Sequence, residues 1–491
     1  MIHRFIHRRV VATAPSKFHV RSALLSAMLL GACAPSLSQN PPREPERSLP
    51  KSYGAAENVP PTSGPAEGTG QSKWDAFFKD PNLTGLIETA LKNNQELNIQ
   101  LQEIILAQTE VMARKGEYLP KLDAEAGAGI EKVGKYTSQG ASDEAHGVRE
   151  NLPNFGFGFA ASWEVDIWKR LRNSAKAAAH RYLASIEGKN FMVTQLVAEV
   201  ARAYYELIAL DSQLDVLKRN IQIQQDALEV VQLEKQAGRV TQLAVQRFEA
   251  EVLKNKSRQY ALEQKVIETE NLLNFLVGRF PQPVARSSEG LEPVVPNVIK
   301  AGVPSQLLDS RPDIRQAEHE LSAAKLDVKA AKARFYPALS IEAGVGYEAF
   351  NGRHLVTTPQ SLAYNLAGNL TAPLLNRRAI KADYFAANAR QLQAVYNYER
   401  TLLKAFTDVA NQLAKIRNLD QSYQLESKQV DLLTRAIDVS NVLFQSARAD
   451  YMEVLLTRRD ALDSQMELID TKLQQQQAMV GVYQALGGGW R

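Results

Sequence analysis

The side chains able to carry chemistry are few. Seven histidines occur, His3, His7, His19, His146, His180, His319 and His354; three fall in the first 32 residues, and the others are scattered without metal-ligand spacing. No Gly-x-Ser-x-Gly or phosphate-loop signature is present. Gly487-Gly488-Gly489 shares only its composition with a phosphate loop; it closes a long helical pattern, where glycine ends a helix. In Arg311-Pro312-Asp313, Pro312 suits a first helical turn and Asp313 suits the positive end of the helix dipole. That is a mechanical role. His319 falls mid-helix and reads as a packing or surface residue. The expectation is a non-enzyme with no metal and no cofactor.

One cysteine, Cys33, excludes an intrachain disulfide. Its thiol has a different use. A basic stretch with Arg4, Arg8, Arg9, Lys17 and Arg21 precedes the apolar run Ala23–Leu30, as in a secretory signal. Leu30-Gly31-Ala32-Cys33 then resembles a bacterial lipobox, in which the thiol takes a lipid and becomes the first mature residue. Ala34 follows, and the resemblance implies sorting to the outer membrane. The formal charge of +4 falls to −1 once the five basic groups of residues 1–32, which hold no acid, are removed. A basic nucleic-acid surface is not implied. Residues 34–72 are rich in Pro, Gly, Ser and Glu and read as an extended or flexible tether.

Four stretches alternate with a period of two. In Phe155–Ile167 every odd position is apolar and every even one is small or polar, the pattern of a strand with one apolar and one wet face. Leu122–Glu131, Leu339–Tyr347 and Leu362–Ala372 repeat it. No stretch reaches the roughly 18 apolar residues of a spanning helix, so a membrane crossing falls to the strands. Between the strand pairs lie long proline-free helical segments. In Trp168–Gln236, Leu207, Leu210, Leu214, Leu217, Ile221, Leu228 and Val231 keep a coiled-coil spacing, with Gln224 filling the missing step. A short turn follows, and Thr241 is the expected cap of a second helix reaching Leu276.

The pattern occurs twice. Tyr118-Leu119-Pro120 aligns with Phe335-Tyr336-Pro337, and Glu125–Gly129 with Glu342–Gly346, both at an offset of 217. Leu276-Val277-Gly278 matches Leu486-Gly487-Gly488 at an offset of 210. The predicted organisation is a signal peptide (1–32), a lipidated tether (33–73), repeat 1 (74–280), a linker (281–304) and repeat 2 (305–491). Repeat 1 has a strand hairpin at about 121–167 and a helical hairpin at about 168–276; repeat 2 has them at about 338–372 and 377–486. The 131–153 connection reads as a polar loop.

Four strands cannot close a sheet, and open edges find no water in lipid. Three chains pooling their strands give twelve, an even number within the barrel range. The chain resembles the outer membrane efflux protein family, the TolC-like channels, in its lipoprotein branch serving RND-type pumps. The resemblance rests on Ser310–Glu318, on Ala333-Arg334-Phe335-Tyr336-Pro337 and on the ending Tyr483–Trp490, with Gly487, Gly488 and Trp490. It implies a membrane α+β fold: a homotrimer with a 12-stranded outer-membrane barrel continued by a periplasmic helical barrel. It also implies an inner-membrane pump, a periplasmic adaptor, outer-membrane lipid as partners, no nucleic acid, and small-molecule efflux as the function. A type I protein-secretion channel and a soluble coiled-coil scaffold are the alternatives. The resemblance places a periplasmic gate at the turns 236–243 and 447–455, with Arg239, Arg448, Asp450, Tyr451 and Glu453 as candidates. Relatives often carry an aspartate where Leu456 and Thr457 stand, so an acidic constriction is not expected there.

Overall fold

The computed structural model describes residues 34–38, 40–50, 52–53, 72–287, 290–292, 304–373, 377–446 and 448–490. The signal segment, Cys33 and much of the tether lie outside them. The first half runs α1 (Trp74–Phe77), α2 (Pro81–Asn93), α3 (Gln95–Glu117), β1 (Lys121–Glu131), α4 (Ser138–Ala145), β2 (Leu152–Val165), α5 (Arg170–Gln236) and α6 (Gln242–Val277). The second runs α7 (Leu307–Ser310), α8 (Pro312–Ala333), β3 (Ala338–Ala349), β4 (Leu362–Thr371), α9 (Arg378–Gln445) and α10 (Tyr451–Ala485). The chain forms two compact units, one built on Ala107–Arg181 and Glu320–Val395, the other on Pro45–Leu106, Tyr182–His319 and Tyr396–Arg491.

The first unit carries an antiparallel sheet in the order β1-β2-β3-β4. Its register keeps the two faces apart across all four strands. Ala126 pairs with Phe157, Phe157 with Tyr347 and Tyr347 with Leu362; the next row is Ala124, Phe159, Val345 and Tyr364. A slip of one residue would turn each strand over, so the alternation itself fixes the pairing. Phe157 and Tyr347 stack with centroids 5.5 Å apart. The connection between β1 and β2 is not wholly loop: Thr137 accepts a hydrogen bond from the Gly140 amide (3.1 Å) and starts α4. A hydroxyl cap can nucleate one turn without any apolar period, so the composition gave no sign of it.

In the second unit the long helices pack around two main clusters. Tyr204, Leu207, Leu273, Val277 and Tyr483 join α2 in one. Ile314, Tyr398, Leu402, Val409 and Val482 form the other. Tyr483 stacks on Phe77 at 4.1 Å, and its hydroxyl donates to the Ser72 carbonyl (2.7 Å). Burial of each such ring contributes about 2–3 kcal/mol. The α5 and α9 helices contain 67 and 68 residues. At a rise of 1.5 Å per residue each runs about 100 Å.

Part of the tether is extended but not free. In the first unit, Asn388 and Gln391 donate their side-chain amides to the Asn40 and Arg43 carbonyls (2.8 and 3.2 Å). In the second, Arg47 pairs with Glu318 (2.9 Å) and Tyr53 stacks on Phe406 at 5.4 Å. These contacts are polar and long-range, so low-complexity composition does not reveal them.

The two halves share one joint. Asn94 donates to the Leu276 carbonyl (2.9 Å), and Arg311 donates to the Ala485 carbonyl (3.0 Å). Residue 311 is 217 beyond 94, and 485 is 209 beyond 276; the structure shifts the match at this helix end by one residue from the 210 suggested by Leu276-Val277-Gly278 and Leu486-Gly487-Gly488, and both bonds then occupy matching places. Next to them the chain turns at Gly278 (φ 76°) and Gly487 (φ 82°), each closing its helix with a pair of backbone hydrogen bonds. A Cβ at Gly278 would lie 2.5 Å from the Asn93 carbonyl oxygen; one at Gly487 would lie 2.4 Å from that of Ser310. Only glycine fits both the left-handed backbone and the close approach.

Candidate functional site

The sheet offers a wall with two chemistries. Phe159, Trp163, Val345, Tyr364, Leu366 and Leu370 stand exposed on one face. On the other, Asp123 shares a row with Ala160, Gly344 and Asn365, and Lys121 a row with Ser162, Glu342 and Ala367. That face carries Asp123, Glu125, Glu131, Glu164, Glu342 and Glu348 against Lys121 alone. Both edge strands, β1 and β4, are exposed along their length. A large apolar face beside an acidic one suits a sheet between lipid and a water-filled lumen.

The structural motif residues hold the helix ends together. Pro312 opens α8, and Arg311 grips Asp313 with two bonds (Nε–Oδ1 3.0 Å, Nη2–Oδ2 2.7 Å) while its third nitrogen takes the Ala485 carbonyl. Arg311 is buried, so this fork satisfies a charge that would otherwise be costly. Trp490 donates to the Ser310 carbonyl (3.2 Å), and Gly488 sits against the Tyr483 ring, where a Cβ would lie 2.4 Å away. Pro337 accepts from the Trp168 indole (2.8 Å) in the first unit.

The helical turns are matched in the same way. Arg239 donates its backbone amide to the Glu234 carbonyl and Arg448 to that of Leu443, both at 2.9 Å and 209 residues apart. Thr241 and Asp450 take the extended N-cap position of α6 and α10, but neither side chain makes a capping bond. The expected Thr241 cap is therefore present in backbone form only. Tyr451 is anchored: it packs on the cluster of Val231, Val245, Phe248 and Leu455. Among the described residues no ion pair joins Arg239, Arg448, Asp450 and Glu453; these charges are exposed. Thr457 turns its hydroxyl onto the Glu453 carbonyl (2.7 Å), and Leu456 lines a groove of about 600 Å³ with Leu432, Val439, Leu443, Arg435 and Asp460.

Several residues were hidden from the sequence pattern. Gln224 is fully buried and accepts from Asn255 (2.9 Å) across α5 and α6; Gln429 donates to Ser464 (2.9 Å) across α9 and α10. Asn255 and Ser464 are again 209 residues apart. Each hairpin thus has a polar layer in its apolar seam, a device that fixes register. The Gln224 gap in the heptad was the signal, but its partner is not visible locally. Arg286 bridges Asp211 and Glu270, and the Asp211 carboxylate leads in raising its pKa. Arg458 has no carboxylate partner among the described residues; it donates to Asn441 (3.1 Å), and burial lowers its pKa.

Two heptad stripes lie uncovered. Leu253, Tyr260 and Ile267 on α6 are 51–71 % exposed, and Leu425, Leu432 and Val439 on α9 are 58–68 % exposed. The counterparts of the α9 pair Leu432 and Val439, Ile223 and Val230 on α5, are likewise half exposed, but that of Leu253 is not. Leu462, which matches Leu253 at the offset of 209, is buried against Leu210, Leu217 and Ile221 of α5. No helix is long and apolar enough to cross a membrane among the described residues.

Comparison with known proteins bears on the same features. The profile of the family described as "Outer membrane efflux protein" matches residues 86–279 and 303–488. The chain is 28% identical over 470 residues to the pyoverdine export outer membrane protein OpmQ of Pseudomonas aeruginosa, covering 96% of this chain and 97% of the relative. It is 26% identical over 452 residues to the cation efflux system protein CusC of Escherichia coli, covering 91% and 95%. The crystal structure of CusC superimposes with a TM-score of 0.78 at 25% identity, covering 92% of this chain and 99% of that one.

Proposed function

Because the chain belongs to the outer membrane efflux protein family and serves as an exit channel at the Gram-negative outer membrane, we propose that three copies assemble into one duct. In this reading twelve strands close a barrel in the membrane, and the helical hairpins form a tunnel into the periplasm. The observation that carries the reading is the sheet: a register-locked apolar face, an acidic face, and two open edges. An even number of antiparallel strands per chain sets β4 of one copy antiparallel to β1 of the next, so the ring closes without a mismatched pair.

The uncovered stripes support the same assembly. Within the chain, α10 lays Leu462, the match of Leu253 at the head of the α6 stripe, together with Met466 on α5. The matching stripe of α6 then has its natural partner in the matching helix, α9, of a neighbouring copy. The pattern of exposure fits: both faces are apolar, heptad-spaced and bare in one chain. Duplication of an ancestral half accounts for the matched joints, turns and polar layers.

Lipidation at Cys33, an adaptor docking near the turns and an RND-type pump below it complete the proposed tripartite system. The duct needs no chemistry of its own, since the pump supplies the drive. The relatives export pyoverdine and cations; for this chain we propose small solutes, passing a lumen that favours cations. The exposed turn charges Arg239, Arg448, Asp450 and Glu453, with Tyr451 as their anchored neighbour, are the proposed gate. In this reading they pair between copies, and Leu456 and Thr457 replace an acidic ring.

The test is the purified mature protein in mild detergent. A trimeric mass, insoluble without detergent, with cation-preferring conductance in planar bilayers, is expected. A soluble monomer without conductance would overturn the reading.

A further inference from the structure

The end of the sheet that joins the helices is strongly basic. Residues 114–121, 164–176, 332–338 and 377–383 surround it and hold twelve Lys and Arg against four acids. The opposite end, residues 131–152 and 348–361, holds four against five. The asymmetry stands out in a chain whose net charge beyond residue 32 is −1. The four acids are all engaged. Glu117 pairs with Arg114 (3.0 Å), Glu164 with Arg170 (2.7 Å) and Asp383 with Arg334, while Asp166 accepts the Leu171 and Arg172 amides at the start of α5. Lys169, Arg172, Lys332, Arg378 and Lys381 remain exposed and outside any ion pair among the described residues, whereas Lys121 lies on the acidic face of the sheet.

A second feature lies at the same level. Trp163 donates its indole to the Tyr118 carbonyl (3.1 Å), and Trp168 stacks on Tyr336 at 4.7 Å. Lys381 lies over the exposed Phe385 ring at 5.4 Å. Aromatic rings with one polar tip belong at the boundary between hydrocarbon and head groups. They mark where the apolar face of the sheet meets water, and the cations stand at that line. A cation there meets phosphate.

We infer that this collar binds anionic phospholipid head groups of the leaflet at the helix-joined end of the barrel, which deepens the outer-membrane reading and rests on it. The ligand chemistry is a phosphodiester carrying net negative charge. A zwitterionic head group brings its own cation and gains little. Each Lys or Arg at a membrane surface strengthens binding of anionic lipid by about fivefold.

The experiment titrates the full-length protein in detergent micelles with dioctanoyl phosphatidylglycerol, dioctanoyl phosphatidylcholine and sodium phosphate, counting bound lipid by native mass spectrometry. Phosphatidylglycerol is expected to bind at least tenfold more tightly than phosphatidylcholine, with no competition from millimolar phosphate. Replacing Lys332, Arg378 and Lys381 by Gln should reduce that ratio severalfold, and replacing all five cations should bring it near one. Lys132→Gln with Lys135→Gln, at the other end, should leave it unchanged. Equal binding of the two lipids, full competition by phosphate, or an equal loss in the Lys132/Lys135 variant would overturn the collar. Conductance of the same proteins in phosphatidylcholine bilayers reads the channel separately. Channels without lipid preference sink only this inference, and absent channels sink the reading beneath it.

Discussion

Three glycines share one backbone conformation and differ in what surrounds them. Gly238, Gly278 and Gly487 have φ of 71°, 76° and 82°. A Cβ at Gly238 would meet nothing within 4 Å, whereas at Gly278 and Gly487 it would meet carbonyl oxygens at 2.5 and 2.4 Å. Substitution by Ala therefore separates two costs. At Gly238 only the left-handed backbone is penalised, by about 1 kcal/mol. At Gly278 and Gly487 the joint must also shift, because the obstructing atoms are backbone and cannot rotate away; overpacking of this kind adds about 1–3 kcal/mol. The total is about 2–4 kcal/mol, or about 30- to 700-fold in the population of the locally opened joint, against about fivefold at Gly238. Thermolysin at low concentration, acting on the protein in detergent, reads that population as an initial cleavage rate. Gly278→Ala and Gly487→Ala should be cut faster near residues 279–287 and 486–490, and Gly238→Ala only slightly faster at its turn. Equal rates in all three variants would refute the close-approach argument, leaving φ as the whole explanation.

Arg311→Met should loosen the same joint by about 3–5 kcal/mol, because it leaves the Asp313 carboxylate with only the Ile314 amide and without its counter-charge, and takes the guanidinium from the Ala485 carbonyl; adding Asp313→Asn should restore part of the loss in a double-mutant cycle of cleavage rates. In the β1–β2 connection, hydrogen bonds from Lys135 and then Lys132 hold the Glu150 carboxyl below the usual glutamate range. Folding with a depressed acid pKa favours order above the unfolded value and loses that contribution as pH falls through the folded one. Amide protection factors in residues 132–150, which are rates corrected for the intrinsic pH dependence of exchange, should fall below about pH 4 and stay flat from pH 6 to 8. Cys33→Ala should abolish incorporation of labelled palmitate; retained label would place the anchor elsewhere.

The strands were legible because each face repeats every second residue, and their pairing followed from keeping those faces together. The long helices and their ends were legible too, since Gly278 and Gly487 sit where the periodicity stops. What escaped detection was contact at a distance. Asn94 and Arg311 stand at matching positions, but nothing local shows that each reaches a carbonyl at the far end of another helix. Gln224 looked like a flaw in the heptad until Asn255 supplied its partner. The short helix α4 depends on one hydroxyl, and the docked stretch near Arg47 on single ion pairs and rings, features too sparse to form a pattern. Of the proposed gate residues, Tyr451 packs on an apolar cluster, and the charges around it are exposed and make no ion pair with one another among the described residues.

The seam between α5 and α10 has a kinetic meaning. In the proposed ring there are six seams of this kind, and three of them close inside a chain. A tethered pair of helices meets at an effective concentration in the millimolar range, whatever the abundance of the protein. An undivided ancestral half would have to bring six free bodies together, and dilution would penalise every step. Joining the halves reduces assembly to a three-body problem and leaves the remaining seams free to become dissimilar. One set can be tuned for permanence and the other for parting, a division of labour that six identical seams could not offer.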